Sequence, residues 1–332
     1  MDVVTQGALG ALLAQAAAPP RQARLAALVG GAAAMLADAD TLIGSPDDAL
    51  LVLEYHRHFS HALLFIPLGA LVAALLLWPL LRRRLPFARL YAYALLGYAT
   101  AGVLDACTSY GTHLWWPFSD ARVAWGIIAV VDPLFTLVLL AALALGLVRR
   151  RARPARIGLG LAAAYLLLGL VQQQRATAVA RAAIAARGQT AERLVVKPTI
   201  GNLLLWRAVY VSDGRVYADG IRVGGPGGVR HYPGESAPLV EPLRDLDWAP
   251  PGSRAQRDAQ RFAALSDGMV TRDRRAADTL GDARYAMLPT AVAPLWGIAL
   301  DRGAPDAPPR FVTDRSLTPE GRRRFIEMLL GD

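Results

Sequence analysis

Glu54-Tyr-His56-Arg57-His58-Phe-Ser-His61 runs straight into Ala62-Leu-Leu-Phe-Ile-Pro-Leu-Gly-Ala-Leu-Val-Ala-Ala-Leu-Leu-Leu-Trp-Pro-Leu-Leu81, and Arg82-Arg83-Arg84 follows at once. A hydrocarbon core about 30 Å thick takes roughly 20 apolar residues of helix. His61–Leu81 meets that length without a formal charge, so it predicts a membrane span. The arginines behind it predict a cytoplasmic end. Three of the chain's five histidines stand at the opposite end.

Further uncharged runs flank this one. Ala88–Leu104, Pro133–Val148 and Ile157–Val171 bring the expected long spans to four. Gly7–Ala18 and Leu25–Ala37 are shorter. They read as a re-entrant hairpin broken at Pro19-Pro20, or as a tilted, alanine-rich span. The chain is 54% hydrophobic with mean hydropathy +0.30. The excess lies in residues 1–171, and residues 172–332 have ordinary soluble composition. The expected architecture is therefore a mainly α multi-pass membrane protein with a C-terminal soluble α+β domain. Its parts are a membrane domain at 1–171, a helical linker at 172–188 and an extramembrane domain at 189–332.

A net charge of +9 raises a nucleic-acid reading. The arginines do not form one stripe with interleaved aromatics. They gather at Arg82–Arg84 and at Arg149-Arg150-Arg151-Ala-Arg153, each directly after an apolar run. They read as anchors of membrane helices, and no nucleic-acid partner is expected. With both clusters in the cytoplasm, Asp38–Ser60, Asp105–Trp125 and the C-terminal domain all fall on the outer face. Trp115, Trp116 and Trp125 suit an interfacial belt. The single cysteine, Cys107, excludes an internal disulfide.

In the C-terminal part, Leu203–Val211 and Arg215–Val223 read as strands joined by the turn Ser212-Asp213-Gly214. Gly224–Gly228 reads as a flexible loop. Ser253–Leu265 reads as a helix, and Tyr285–Leu288 and Leu295–Leu300 as strands. Thr318-Pro319-Glu320 opens a last helix that ends at Gly331.

Chemistry gathers at the membrane edges. Asp38 and Asp40 precede the histidine cluster, and Asp105 and His113 follow the second span. Imidazole and carboxylate together are the ligand set of zinc, manganese or iron. A bound divalent ion lowers the pKa of its water to about 7, giving hydroxide at neutral pH. Asp38, Asp40, His56, His61 and Asp105 are the candidate ligands. Asp40 or Asp105 is the candidate general base, and Arg57 the candidate for anionic charge on a substrate. His58 and His113 read as interfacial side chains or substitute ligands. Asp132-Pro133 reads as a helix cap, with an ionisable residue at membrane depth as the functional alternative.

These residues resemble a known family. Met1-Asp-Val-Val-Thr-Gln6-Gly-Ala-Leu-Gly10, Asp38-Ala-Asp40, His56-Arg57-His58-Phe-Ser-His61, Leu104-Asp105-Ala-Cys-Thr108-Ser-Tyr-Gly111, Trp116-Pro-Phe-Ser119 and Val131-Asp132-Pro133 carry the resemblance in order. It is to the inner-membrane metal-dependent hydrolases typified by YdjM. Asn202-Leu-Leu-Leu-Trp206-Arg207 and Pro294-Leu-Trp-Gly297-Ile look like the C-terminal region of one branch. The resemblance implies a bacterial inner-membrane protein whose functional positions are Asp38, Asp40, His56, Arg57, His61 and Asp105. This chain departs from the family pattern at Ala101, where many members have histidine, and at Gln6, where some do.

The expected function is a membrane-bound, metal-dependent hydrolase of a phosphoester or lipid-like envelope substrate, using zinc, or else manganese or iron. The alternative is a non-catalytic membrane protein with a structural His/Asp metal site and a periplasmic partner-binding domain. The expected partners are the lipid bilayer and a small-molecule or lipid-like substrate.

Overall fold

A computed structural model describes residues 1–224, 228–273 and 276–332. The middle of the glycine-rich loop expected at 224–228 lies outside the described residues. The chain divides into two compact units. The first comprises Met1–Ile43, Tyr55–Val171 and Ile200–Asn202, and the second Gly44–Glu54, Gln172–Thr199 and Leu203–Asp332.

The first unit is helical. Helices α1 (Val3–Ala17) and α2 (Ala23–Leu36) form an antiparallel hairpin. Asp2 caps α1, accepting from the Thr5 N–H at 3.0 Å. Segment α3 (Leu51–Tyr55), which belongs to the second unit as far as Glu54, precedes the histidine cluster, and α4 (Ile66–Leu81) follows it. Helix α5 (Phe87–Ala106) packs on α1, α2 and α4. Small residues set this packing. A Cβ on Gly97 of α5 would lie 2.0 Å from the Gly30 carbonyl oxygen of α2. Close backbone approach of this kind is how helices associate when lipid offers no hydrophobic contrast.

Helix α6 (Pro133–Arg149) begins at Asp132, as the cap reading requires. The buried Asp132 carboxylate accepts from the Phe135 N–H at 3.1 Å and from the Tyr165 hydroxyl at 2.8 Å. Such a cap contributes about 1 kcal/mol. Helix α7 (Ala152–Ala186) runs unbroken for 35 residues.

Among the described residues, three helical stretches are long and apolar enough to cross a membrane: Pro20–Leu42, Leu63–Leu81 and Ala152–Ala186. The first is longer than the sequence suggested. 3-10 turns at Pro20–Gln22 and Ala37–Leu42 extend α2 to 23 residues. Val3–Ala17 and Pro133–Arg149 are apolar but shorter. α5 has the length, but Arg89, three tyrosines and Asp105 make it more polar.

The second unit is built on two antiparallel sheets. Strands β1 (Arg193–Pro198), β2 (Leu205–Ser212), β3 (Arg215–Arg222) and β4 (Arg230–Tyr232) lie in that order, and β5 (Ser236–Pro238) also pairs with β3. The β2–β3 hairpin closes as expected. Ser212 pairs with Arg215 across Asp213 and Gly214, both at positive φ. That is the two-residue turn whose twist matches the strands. Helices α8 (Pro242–Asp245) and α9 (Arg254–Leu265) follow, with Ser253 capping α9. The second sheet has the order β6 (Val270–Asp273), β7 (Ala276–Asp282), β8 (Trp296–Ala299), β9 (Arg310–Thr313). Helix α10 (Pro319–Leu330) opens at the Thr318 cap and stops at Gly331.

Tyr285–Leu288 forms no strand, contrary to the sequence reading. The buried Arg207 guanidinium donates to the carbonyls of Ala283, Arg284, Leu288, Pro289 and Ala291. Acceptors that a ladder would use are taken by a side chain distant in sequence.

Gly44–Glu54 folds with this second unit. Leu50 is fully buried in a cluster with Val240, Phe262, Leu280 and Ile298. Arg261 lies 3.0 Å from Asp48 Oδ2 and 2.9 Å from Glu54 Oε1.

Candidate metal centre

Four stretches of the first unit supply the centre: the start of α1, the 3-10 turn after α2, the turn 56–61 before α4, and the last turn of α5. The break between α2 and α4 lets carboxylates and imidazoles turn inward. Arg57 takes the left-handed conformation, φ +63°, rare for a residue with a side chain. Its N–H donates to Asp40 Oδ2 at 2.8 Å, and its carbonyl accepts from Thr112 Oγ1 at 2.9 Å and from the His113 N–H at 3.2 Å.

His61 is 2% exposed and stands between three carboxylates. Its Nδ1 lies 3.0 Å from Ser60 Oγ and 3.2 Å from Asp40 Oδ2. Its Nε2 lies 3.1 Å from Asp105 Oδ2 and 3.4 Å from Asp38 Oδ1. Neither His61 Nε2 nor Asp38 Oδ1 forms a hydrogen bond among the described residues. His56 Nδ1 is 2.9 Å from Asp40 Oδ1. Asp105 is fully buried. Its Oδ2 accepts from Gln6 Nε2 at 2.9 Å and faces Arg57 Nε at 3.0 Å, and the Met1 nitrogen contacts Oδ1.

The structure thus brings Asp38, Asp40, His56, Arg57, His61 and Asp105 together. Ligand atoms of Asp38, His61 and Asp105 lie within 4.8 Å of one another, and so do those of Asp38, Asp40 and His56. Buried polar groups are normally hydrogen-bonded. Two that are not, aimed at a third ligand oxygen, fit a divalent cation with an N/O donor set.

His58 and His113 pair with each other, ring centroids 4.5 Å apart, and His58 also packs on Trp116. Burial, with Arg122 and His58 nearby, pushes His113 down to about 4. Ala101 is fully buried in the helix core with Ala94 and Tyr98.

Sequence reasoning missed three supporting residues. Ser60 Oγ donates to Asp40 Oδ2 at 2.5 Å. Tyr98 donates from its hydroxyl to the Ser60 carbonyl at 2.9 Å. Gly102 lets α5 approach the turn, since a Cβ there would stand 2.1 Å from the His61 carbonyl oxygen. A serine, a tyrosine and a glycine in a small-residue membrane sequence carry no distinguishing signal.

Beside the centre is a cavity of about 590 Å³. Val3, Ala32, Met35, Leu36 and Leu42 give it an apolar wall, and Asp38 and His56 line it as well.

A model of the YdjM inner membrane protein family matches residues 1–176. The chain belongs to this family. Every residue of the centre falls within the YdjM match, whereas the two sheets lie beyond it. No curated protein and no solved structure matches the chain.

Proposed function

We propose that this YdjM-family protein is a membrane-bound, metal-dependent hydrolase acting on a phosphoester or lipid-like envelope substrate. One observation carries the reading: the buried His61 Nε2 lies 3.1 Å from Asp105 Oδ2 and 3.4 Å from Asp38 Oδ1, and neither it nor Asp38 Oδ1 forms a hydrogen bond among the described residues. Asp38, Asp40, His56, His61 and Asp105 are the ligand pool. A divalent ion there, zinc or else manganese or iron, supplies Lewis acidity and an activated water at neutral pH.

The protein's own groups do the rest. Arg57 holds Asp105 in place and offsets its charge. Gln6 fixes the same carboxylate from the α1 side. The apolar wall of Met35, Leu36 and Leu42 receives the hydrocarbon part of an amphipathic substrate, with its polar end at Asp38 and His56. In this reading α5 and α6 cross the membrane as well. The arginine clusters then hold the cytoplasmic ends, and the centre and the second unit lie on the periplasmic side.

Metal analysis of purified wild type and His61→Ala tests the core of the reading. The wild type is expected to retain a divalent ion and the variant to lose it. Equal content in both ends the proposal. Hydrolysis of a phosphodiester and phospholipid panel, sensitive to chelation, tests the activity.

Arg57 favours a second reading. Its guanidinium can balance the buried Asp105 in a centre that only holds helices together. The ion is then structural, and the second unit binds an envelope partner. Chelation would lower the unfolding temperature while the same panel stays unhydrolysed.

A further inference from the structure

Asp40 differs from the other two carboxylates in how its oxygens are used. Oδ1 lies 2.9 Å from His56 Nδ1. Oδ2 accepts from the Arg57 N–H at 2.8 Å and from Ser60 Oγ at 2.5 Å, and it faces His61 Nδ1 at 3.2 Å. A carboxylate has about four lone-pair sites. Three formed hydrogen bonds and a facing ring nitrogen occupy them. Asp38 Oδ1, by contrast, forms no hydrogen bond among the described residues, and His61 Nε2 faces Asp105 without forming one.

We infer that Asp40 is not a ligand of the ion but the positioning residue for both imidazoles of the centre. The inference rests on the metal-centre reading above. Because Asp40 engages both rings through Nδ1, the proton of each sits on that nitrogen and Nε2 carries the lone pair. In His61 that lone pair is aimed between Asp38 and Asp105. In His56, whose side chain is 22% exposed and lines the cavity, it is left free of the carboxylate. A carboxylate behind a ligating histidine fixes the ring and raises its basicity. Here one carboxylate does so for two rings. Ser60 reinforces it, accepting from His61 Nδ1 while donating to Asp40. The centre therefore holds one ion, on Asp38, His61 and Asp105, rather than two.

The test is titration of full-length protein with Co²⁺, read by visible absorption, which reports the ligand set apart from any activity. Wild type is expected to take one equivalent. Asp40→Asn is expected to take one equivalent with the same band positions but 10–100-fold weaker affinity, the usual cost of losing an outer partner. Asp38→Ala and Asp105→Ala are expected to lose saturable uptake. The inference is overturned if Asp40→Asn loses uptake as they do, shifts the bands, or takes one equivalent where wild type takes two. Should Asp40→Asn not fold, Ser60→Ala decides: weaker Co²⁺ affinity with unshifted bands supports the inference, and unchanged affinity overturns it. No uptake by wild type sinks the metal reading itself, whereas uptake by wild type with failure of Asp40→Asn sinks only the role given to Asp40.

Discussion

Gly102 and His61 meet backbone to backbone: a methyl group on Gly102 would stand 2.1 Å from the His61 carbonyl oxygen. This contact holds the turn 59–61 against the last turn of α5, and so sets the distance from His61 to Asp105. Gly102→Ala is expected to push the turn away and weaken metal binding by at least about tenfold, the lower end of outer-partner losses. Gly160→Ala is the control, because nothing among the described residues lies within 4 Å of a Cβ there. It should leave metal binding alone and favour the helix by up to about 1 kcal/mol. Equal affinity in both variants, by isothermal titration, would show that the contact does not position the centre.

His113 gives the first unit a pH dependence. Burial, with the Arg122 charge, lowers it to about 4 from the ordinary 6.5. Between those values the unfolded chain binds a proton that the folded chain refuses, so stability falls as pH drops through this window. Above 6.5 both forms are neutral and the contribution is complete, and below about 4 the loss levels off. His113→Gln should flatten this part of the profile. Thermal midpoints of the two proteins near pH 6.5 and near pH 4 check it, and parallel profiles would refute the assignment.

Much of the centre was legible because its chemistry is rare in such a sequence. Imidazoles and carboxylates stand out beside apolar spans, and Asp38, His56, His61 and Asp105 do lie together. What holds them was not legible. Ser60, Tyr98 and Gly102 act through shape and through single hydrogen bonds to backbone or to Asp40, and composition does not record these. The β2–β3 hairpin was readable because Asp213-Gly214 is local turn chemistry. Tyr285–Leu288 was misread because Arg207, from another strand, takes the carbonyls around it. Gly44–Glu54 looked like a plain acidic loop between membrane helices. Its place in the second unit depends on Leu50 meeting residues far along the chain.

That segment supplies a stability prediction. Leu50 is fully buried against Phe262 and Leu280. Leu50→Ala removes that contact and leaves a cavity, so the second unit should lose about 2–5 kcal/mol. Arg261→Ala removes a partly exposed ion pair with Asp48 and Glu54 and should cost no more than about 1 kcal/mol. Denaturant unfolding followed by tryptophan fluorescence ranks the two. A larger loss for the arginine would mean that charge, rather than the apolar cluster, anchors Gly44–Glu54.

Sidedness follows from the arginines at the ends of α4 and α6. Arg82–Arg84 succeeds α4 directly, and Arg149–Arg153 lies between α6 and the start of α7. Basic residues close to span ends stay in the cytoplasm. If α5 and α6 both cross, α7 leads outward and the second unit is periplasmic. Alkaline phosphatase fused behind Asp332 should then be active, and green fluorescent protein at the same place dark. Replacing Arg82, Arg83 and Arg84 by glutamine should reduce the phosphatase signal, because it weakens one of the two anchors that set the orientation. A fluorescent, phosphatase-inactive pair would invert the arrangement. The centre would then face the cytoplasm, and an envelope substrate would no longer suit it.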